Sequence, residues 1–215
     1  MHLSMAPRVA FRASRPDRRP QDFVAHAARR TGEDLLVLAN VYEGGFSTCS
    51  PPLSRFFLDA LVGRFLQGEG PEPSLQGALA AFFDAYPADA EDPWVYDPAV
   101  SFAALWRGPA GIRAAALGGE LVRTWRGGAI HQRFPAEEVR VFRLPNHTTV
   151  LRTAERDGRH PIAWTTLEPA DTIEILSFRL AEHLGDQPGP RESEDPRLVA
   201  LMQDAAFGAW VGWGG

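Results

Sequence analysis

The chain contains no lysine and a single cysteine. All 22 basic residues of the 215-residue sequence are arginine. This excludes sites that require a lysine, namely a phosphate-loop lysine, a Schiff-base lysine and a serine–lysine pair. Cys49 has no second cysteine in the sequence with which to form an internal disulfide, as is usual for proteins of the reducing cytoplasm. We therefore expect a cytoplasmic protein.

Long apolar runs and a net positive charge are also missing. The apolar segments are too short and too interrupted to span a membrane, and the arginine-rich residues 1–20 lack the apolar centre of a signal peptide. A net charge of −5 argues against general nucleic-acid binding. We expect residues 1–8 to form a flexible arm and residues 9–215 to form a single domain, which binds neither membrane nor nucleic acid.

The hydrophobic pattern predicts strands, then two helices, then many strands. Near-continuous apolar residues at 35–42 are typical of a strand covered on both faces. Helical periodicity follows, with Pro52 in the first turn of one helix and Ser74 as the N-cap of the next. Gly127-Gly128 is a typical hairpin turn. The predicted strands are 9–14, 22–28, 35–42, 100–108, 111–119, 120–134 (a hairpin), 139–144, 148–154, 162–167, 172–178 and 207–213, and the helices are 51–67, 74–87 and 196–203.

This order predicts an α+β fold. Two antiparallel sheets facing each other with helices outside form a layered sandwich, and each element can then bury its apolar face. The end of the third strand is its most informative segment, because LLVLANVYEGG ends in Glu43 followed by Gly44 and Gly45. A carboxylate beside bare backbone suits a hard metal ion, since glycines let carbonyl oxygens and water approach. A strand that ends in a simple turn explains the same residues.

In order and spacing, several segments resemble the metal-dependent protein Ser/Thr phosphatases of type 2C. That family is a four-layer α-β-β-α sandwich with a two-metal site between the sheets. The segment RRPQD places Asp22 at the family's final acidic position and Gln21 where another acid is usual. Glu43 and Gly44 correspond to the Asp-Gly that opens Asp-Gly-x-Gly-Gly, and Asp204 corresponds to the metal-binding Asp of the closing Asp-Asn.

Two further segments keep the family's form but lack its characteristic residues. LGGELVRTWRGG corresponds to the Gly-Asp-Ser-Arg hairpin, with Gly119, Glu120 and Leu121 in place of Asp, Ser and Arg. PADTIEILSFRL corresponds to the strand that ends in Ser-Asp-Gly-Leu. There Phe178 stands at the metal-ligand position and Arg179 replaces the glycine.

The resemblance implies a remnant metal site of Asp22, Glu43, the Gly44 carbonyl and Asp204. Two divalent cations need several carboxylates to offset their repulsion, and Gln21 and Phe178 no longer supply them. We therefore expect no bound cofactor, the alternative being weakly held Mn²⁺ or Mg²⁺. Arg18 and Arg19 are candidate phosphate contacts, because guanidinium groups pair bidentately with phosphate; surface arginines in contact with solvent are the alternative.

Three functional hypotheses follow. The first is an inactive, pseudophosphatase-like domain with a regulatory role in signalling of the bacterial type. It would bind a protein partner, such as a kinase, a phosphoprotein or an assembly subunit. The second is a divergent Mn²⁺- or Mg²⁺-dependent Ser/Thr phosphatase, and the third is a structural subunit. The segment Cys49–Arg55 also matches the Cys-x5-Arg spacing of cysteine-based phosphatases, but Pro51 and Pro52 remove two of the backbone N–H donors that such a loop needs.

Overall fold

The computed structural model describes residues 8–12, 23–42, 50–86, 99–135, 162–189, 196–197 and 208–214. Within these ranges the chain forms strands and helices in the following order: β1 (Arg8–Arg12), β2 (Val24–Ala28), β3 (Asp34–Tyr42), α1 (Pro51–Leu66), α2 (Pro71–Ala85), β4 (Ala99–Gly108), β5 (Gly111–Leu117), β6 (Leu121–Arg126), β7 (Ala129–Phe134), β8 (Ala163–Leu167), β9 (Thr172–Leu176), α3 (Phe178–Leu184) and β10 (Gly208–Gly214).

The strands build two five-stranded antiparallel sheets. Sheet A has the order β1-β10-β9-β6-β7, and sheet B has the order β2-β3-β4-β5-β8. Helices α1 and α2 cover the outer face of sheet B, and α3 lies on the outer side of sheet A. The predicted α+β sandwich is therefore confirmed.

Alternation along the strands separates two apolar layers. On β3, Leu36 and Leu38 enter the layer between the sheets, whereas Leu35 and Val37 pack under the helices. Side chains of a strand alternate between faces, so a strand buried on both sides must be apolar at nearly every position. This explains the continuous apolar run at 35–42 and confirms its prediction as a strand.

Helices α1 and α2 are amphipathic and pack through aromatic rings. Phe57 and Phe65 of α1 are fully buried. Phe57 stacks on Phe102 of β4 with 5.6 Å between ring centroids, and Phe65 meets Trp106 edge-on at 4.8 Å. Such ring pairs add about 0.5–1.5 kcal/mol beyond the area they bury. They fix α1 across the outer face of sheet B.

Two local predictions were wrong. Ser74 is not the N-cap of α2, because the helix already begins at Pro71 with Gly70 as its N-cap; proline is favoured in a first helical turn. The strand predicted at 172–178 ends at Leu176, and Phe178 is the first residue of α3. With only seven residues, α3 is too short for its helical periodicity to stand out against the preceding strand.

The remaining element predictions divide into confirmed and undescribed ones. The Gly127-Gly128 turn is confirmed, with φ angles of 59° and 80°. Positive φ at both central residues gives a two-residue hairpin turn whose twist matches that of the flanking strands. The predicted strands 139–144 and 148–154, and all but residues 196–197 of the predicted helix 196–203, lie outside the described residues. Within the described ranges, none of the helices has the length and apolarity needed to cross a membrane.

Candidate functional site

One end of the sandwich gathers strand ends from both sheets. In sheet B, β2 and β4 begin there and β3 and β5 end there. In sheet A, β6 and β10 begin there, and β1 and β9 end there. Glu120 lies on the connection from β5 of sheet B to β6 of sheet A. We therefore call this end of the sandwich the Glu120 end.

A buried hydrogen-bond network lies between the sheets at this end. Asn40 of β3 and Ser101 of β4 are directly paired across their strands. The Asn40 amide Nδ2 donates to Glu120 Oε1 at 2.7 Å, and the Ser101 hydroxyl is hydrogen-bonded to Glu120 Oε2. The backbone N–H of Gly119 donates to Ser101 Oγ at 3.2 Å. Asn40, Ser101, Gly119 and Glu120 form what we call the Glu120 network.

The environment of the Glu120 carboxyl favours its neutral form. Glu120 is only 2% exposed, and its hydrogen-bond partners are an amide and a hydroxyl. Removing a carboxylate from water without a cation to pair with it is costly. Burial raises the pKa of Glu120 to about 7, although the Asn40 hydrogen bond acts in the opposite direction. Burial therefore shifts the titration of Glu120 toward neutral pH.

The position that the resemblance assigns to a metal ligand lies next to this network. Leu121 of β6 pairs with Leu176 of β9, so Glu120 and the buried Ser177 face each other just beyond the paired strands. Phe178 follows Ser177 and begins α3. The chain thus turns from strand into helix at the residue where the family pattern carries its aspartate.

The other predicted site residues lie outside the described residues: Arg18, Arg19, Gln21, Asp22, Glu43, Gly44 and Asp204. Three of the described strand ends border them. β2 begins at Val24 shortly after Asp22, β3 ends at Tyr42 just before Glu43, and β10 begins at Gly208 after Asp204. All three strand ends belong to the Glu120 end. The proposed ligand and phosphate-binding roles of these residues stay predictions.

The described residues at the Glu120 end do not by themselves fit a divalent metal ion. Both oxygens of Glu120 are already hydrogen-bonded within the network, so a metal ion would have to displace these donors. Among all described residues, no cluster of three or more His, Cys, Asp or Glu side chains has the arrangement of a metal site. Metal binding would depend on Asp22, Glu43 and Asp204.

Sequence reasoning aligned Glu120 with the family hairpin but did not select it as a site residue. A signal was nevertheless present in the alternation of β3 and β4. Asn40 continues the inward-facing row of Leu36 and Leu38, and Ser101 continues the row of Ala103 and Leu105. Polar residues at inward positions of two paired strands need a buried polar partner, and Glu120 supplies it.

Solved structures with the same architecture include several bacterial phosphatases. A bacterial serine phosphatase is 15% identical, with a TM-score of 0.67 over 98% of this chain and 97% of that chain. The serine/threonine phosphatase Stp1 from Staphylococcus aureus is 15% identical, with a TM-score of 0.65 over 100% of this chain and 97% of that chain. The Mycobacterium tuberculosis phosphatase PstP/Ppp is 16% identical, with a TM-score of 0.59 over 97% and 98%.

The chain has the type 2C phosphatase fold. The resemblance inferred from the sequence is thereby confirmed at the level of the fold. No protein-family model matches the sequence, and no curated protein sequence matches it. At identities of 15–16%, the type 2C fold is shared but activity does not follow from it.

A second buried polar cluster stabilises α3 on the type 2C fold. Arg123 of β6 and Glu174 of β9 are cross-strand partners on the outer face of sheet A and are joined by an ion pair of 2.9 Å. Arg123 Nη1 donates to the Gly185 carbonyl at 2.5 Å and Nη2 to the Gln187 carbonyl at 2.8 Å, while the Gly189 N–H donates to Glu174 Oε1 at 2.9 Å. Burial lowers the pKa of the Arg123 guanidinium, and the Glu174 carboxylate opposes this effect.

Proposed function

We propose that the chain is a type 2C phosphatase-like domain that does not turn over phosphoesters and instead binds a phosphorylated protein segment in a regulatory role. The binding surface in this proposal is the Glu120 end, the part of the sandwich to which the resemblance assigns the former active site. Arg18 and Arg19, which precede β2 in the chain, are the proposed phosphate contacts. No metal takes part in this binding.

The observation that supports this proposal is the chemistry of the Glu120 network. A two-metal centre requires several ionised carboxylates that share the cations. The described interior at this end instead contains one carboxyl, and both of its oxygens accept hydrogen bonds from neutral donors. Phe178, which replaces a ligand in the resemblance, begins α3 beside it. Both features favour a domain that retains the fold but lacks the ionised carboxylates that a two-metal centre requires.

A divergent Mn²⁺- or Mg²⁺-dependent phosphatase is the second candidate. The strand ends that border Asp22, Glu43 and Asp204 all belong to the Glu120 end, which favours convergence of these three acids. In that candidate the acids and the Gly44 carbonyl hold the metal. The structural matches to bacterial phosphatases extend over nearly the whole chain. The overall architecture therefore does not distinguish the two candidate functions.

Metal dependence distinguishes the candidates. We expect no heat of Mn²⁺ binding in titration calorimetry at millimolar metal, and no Mn²⁺-dependent release of phosphate from a phosphoserine peptide. Asp22→Ala and Asp204→Ala are compared with Glu72→Ala, which changes an exposed acid of α2. Hydrolysis that requires Mn²⁺ and is lost in Asp22→Ala or Asp204→Ala, but not in Glu72→Ala, would show that the domain is an active phosphatase.

Phosphate dependence tests the binding role. In fluorescence anisotropy with a degenerate phosphoserine peptide pool, we expect the double variant Arg18→Ala/Arg19→Ala to weaken binding at least about tenfold, because each charge-assisted hydrogen bond contributes roughly 1.5–3 kcal/mol. Arg30→Ala, at an exposed arginine after β2, is the matched control and should leave the affinity unchanged. Equal affinity for the phosphorylated and unphosphorylated pools would contradict phosphopeptide recognition.

A further inference from the structure

Glu120 lies on a short connection between the two sheets. Leu117 ends β5 in sheet B, Leu121 begins β6 in sheet A, and only Gly118, Gly119 and Glu120 lie between them. Gly118 has a φ of 95°, a left-handed conformation that a side chain would strain. The chain therefore crosses the space between the sheets in a tight turn, and Glu120 directs its carboxyl back into sheet B.

Three hydrogen bonds hold this crossing to sheet B. They join Glu120 to Asn40 of β3, Glu120 to Ser101 of β4, and the Gly119 N–H to Ser101. Within the described residues, Glu120, Asn40 and Ser101 are respectively 2%, 1% and 7% exposed. The crossing segment connects the sheets covalently, and the network holds this segment against sheet B.

The described side chains that face Glu120 provide no compensating charge. Asn40 and Ser101 are neutral, as is Ser177 at the end of β9. The charged residues of β6 and β9 are Arg123, Arg126 and Glu174. Arg123 and Glu174 lie on the opposite face of sheet A, where they contact the segment after α3. Arg126 ends β6 at the other end of the strand and donates to the Pro169 carbonyl. On β3 and β4 the charged residues, Asp34 and Arg107, form an ion pair at the other end of the strands. Among the described residues, no cation therefore pairs with the Glu120 carboxyl.

We infer that the Glu120 network is a pH-sensitive contact between the Gly118–Glu120 crossing and sheet B, closed when Glu120 carries a proton and weakened when it does not. In the neutral state, carboxyl, amide and hydroxyl all find partners without an unpaired buried charge. In the ionised state a carboxylate remains buried among neutral groups, and movement of the Gly118–Glu120 crossing toward water relieves its desolvation. This inference stands whether or not the domain binds phosphorylated segments.

The direction of the pH effect follows from the two states of the carboxyl. In the unfolded chain Glu120 ionises near its usual pKa of 4.5, whereas burial raises the pKa in the folded state to about 7. The folded state holds the proton more tightly, so the stabilisation is complete below pH 4.5, is lost between pH 4.5 and 7 and stays absent above that. The contact therefore opens across the neutral range.

Glu120→Gln tests this contact because glutamine has the shape of the protonated acid and one N–H donor toward Ser101. The ratio of the folding equilibrium constants of variant and wild type, from urea denaturation, should rise on the order of 100-fold between pH 5 and pH 8. The protection factor of the Gly119 N–H, which removes the intrinsic base catalysis of amide exchange, should fall over the same range in the wild type only. Glu72→Gln on the exposed face of α2 is the control.

Two results would overturn the inference. One is a Glu120→Gln variant whose stability and Gly119 exchange follow the same pH course as those of the wild type. The other comes from the wild-type chain alone, by NMR of its glutamate carboxyl carbons, and applies even if the variant fails to fold. If no glutamate carboxyl titrates above pH 6, the network does not hold a proton in the neutral range.

Discussion

Arg123→Met lowers the free energy of unfolding by about 3–5 kcal/mol, because it leaves the buried Glu174 carboxylate without its cation. Arg123 is fully buried and Glu174 is 3% exposed, so water cannot take the place of the guanidinium. The substitution also removes the donors to the Gly185 and Gln187 carbonyls. Urea denaturation at pH 7 measures the loss, and proteolysis between Gly185 and Gly189 should accelerate with it.

The double variant Arg123→Met/Glu174→Met distinguishes the net contribution of the ion pair from the cost of leaving one buried charge without its partner. Replacing both members of a buried pair by apolar residues of similar size is often neutral, so the double variant should recover much of the stability that Arg123→Met loses. Arg133→Met is the matched control, since Arg133 of β7 pairs with the exposed Asp186. A loss below about 1 kcal/mol in Arg123→Met would show that the cluster does not hold the segment after α3.

Arg29→Met is expected to cost about 3 kcal/mol, since hydrogen bonds from a charged donor contribute roughly 1.5–3 kcal/mol each and are not additive. Arg29 follows β2 and donates to the carbonyls of Phe65 and Glu69 at the C-terminal end of α1, and to Glu33 at 2.9 Å. Its guanidinium also lies 4.1 Å from the centre of the Phe65 ring. A cation at this position satisfies the last helical carbonyls and interacts favourably with the helix dipole.

Neighbouring and conservative substitutions make the Arg29 result specific. Arg30→Met changes the next residue, which is exposed, and should alter the unfolding free energy by less than about 0.5 kcal/mol. Arg29→Lys keeps the charge but not the planar fork that reaches several acceptors, so it should recover only part of the stability. If Arg29→Met and Arg30→Met were equally mild, the C-terminal end of α1 would not depend on this arginine.

The polar clusters around Arg123, Arg29 and Glu120 use different means of neutralisation. Arg123 is paired with Glu174, and Arg29 with Glu33 and the helix carbonyls. Among the described residues Glu120 has only neutral partners, so we expect its charge to follow the pH of the solvent. This difference explains why we expect substitutions of the two arginines to act at every pH near neutrality, and Glu120→Gln to act chiefly above pH 5.

Much of the fold follows from the sequence because alternation and helical periodicity are local properties. The apolar run before Tyr42 predicted β3, the double proline at Pro51 and Pro52 predicted the start of α1, and Gly127-Gly128 predicted the hairpin. The order of these elements, together with the spacing of the motif-like segments, was enough to predict the type 2C sandwich. Burial of an apolar face leaves few architectures for such an order.

By itself the sequence determined most of the elements, the sandwich and the absence of lysine chemistry, since each depends on residue type or on spacing along the chain. Only the tertiary structure decided that Glu120 meets Asn40 and Ser101, and that Arg123 pairs with Glu174 beneath the segment after α3. Both clusters join residues far apart in sequence, and strand register brings them together. Sequence spacing carries no direct measure of strand register, which depends on burying the correct face of each strand.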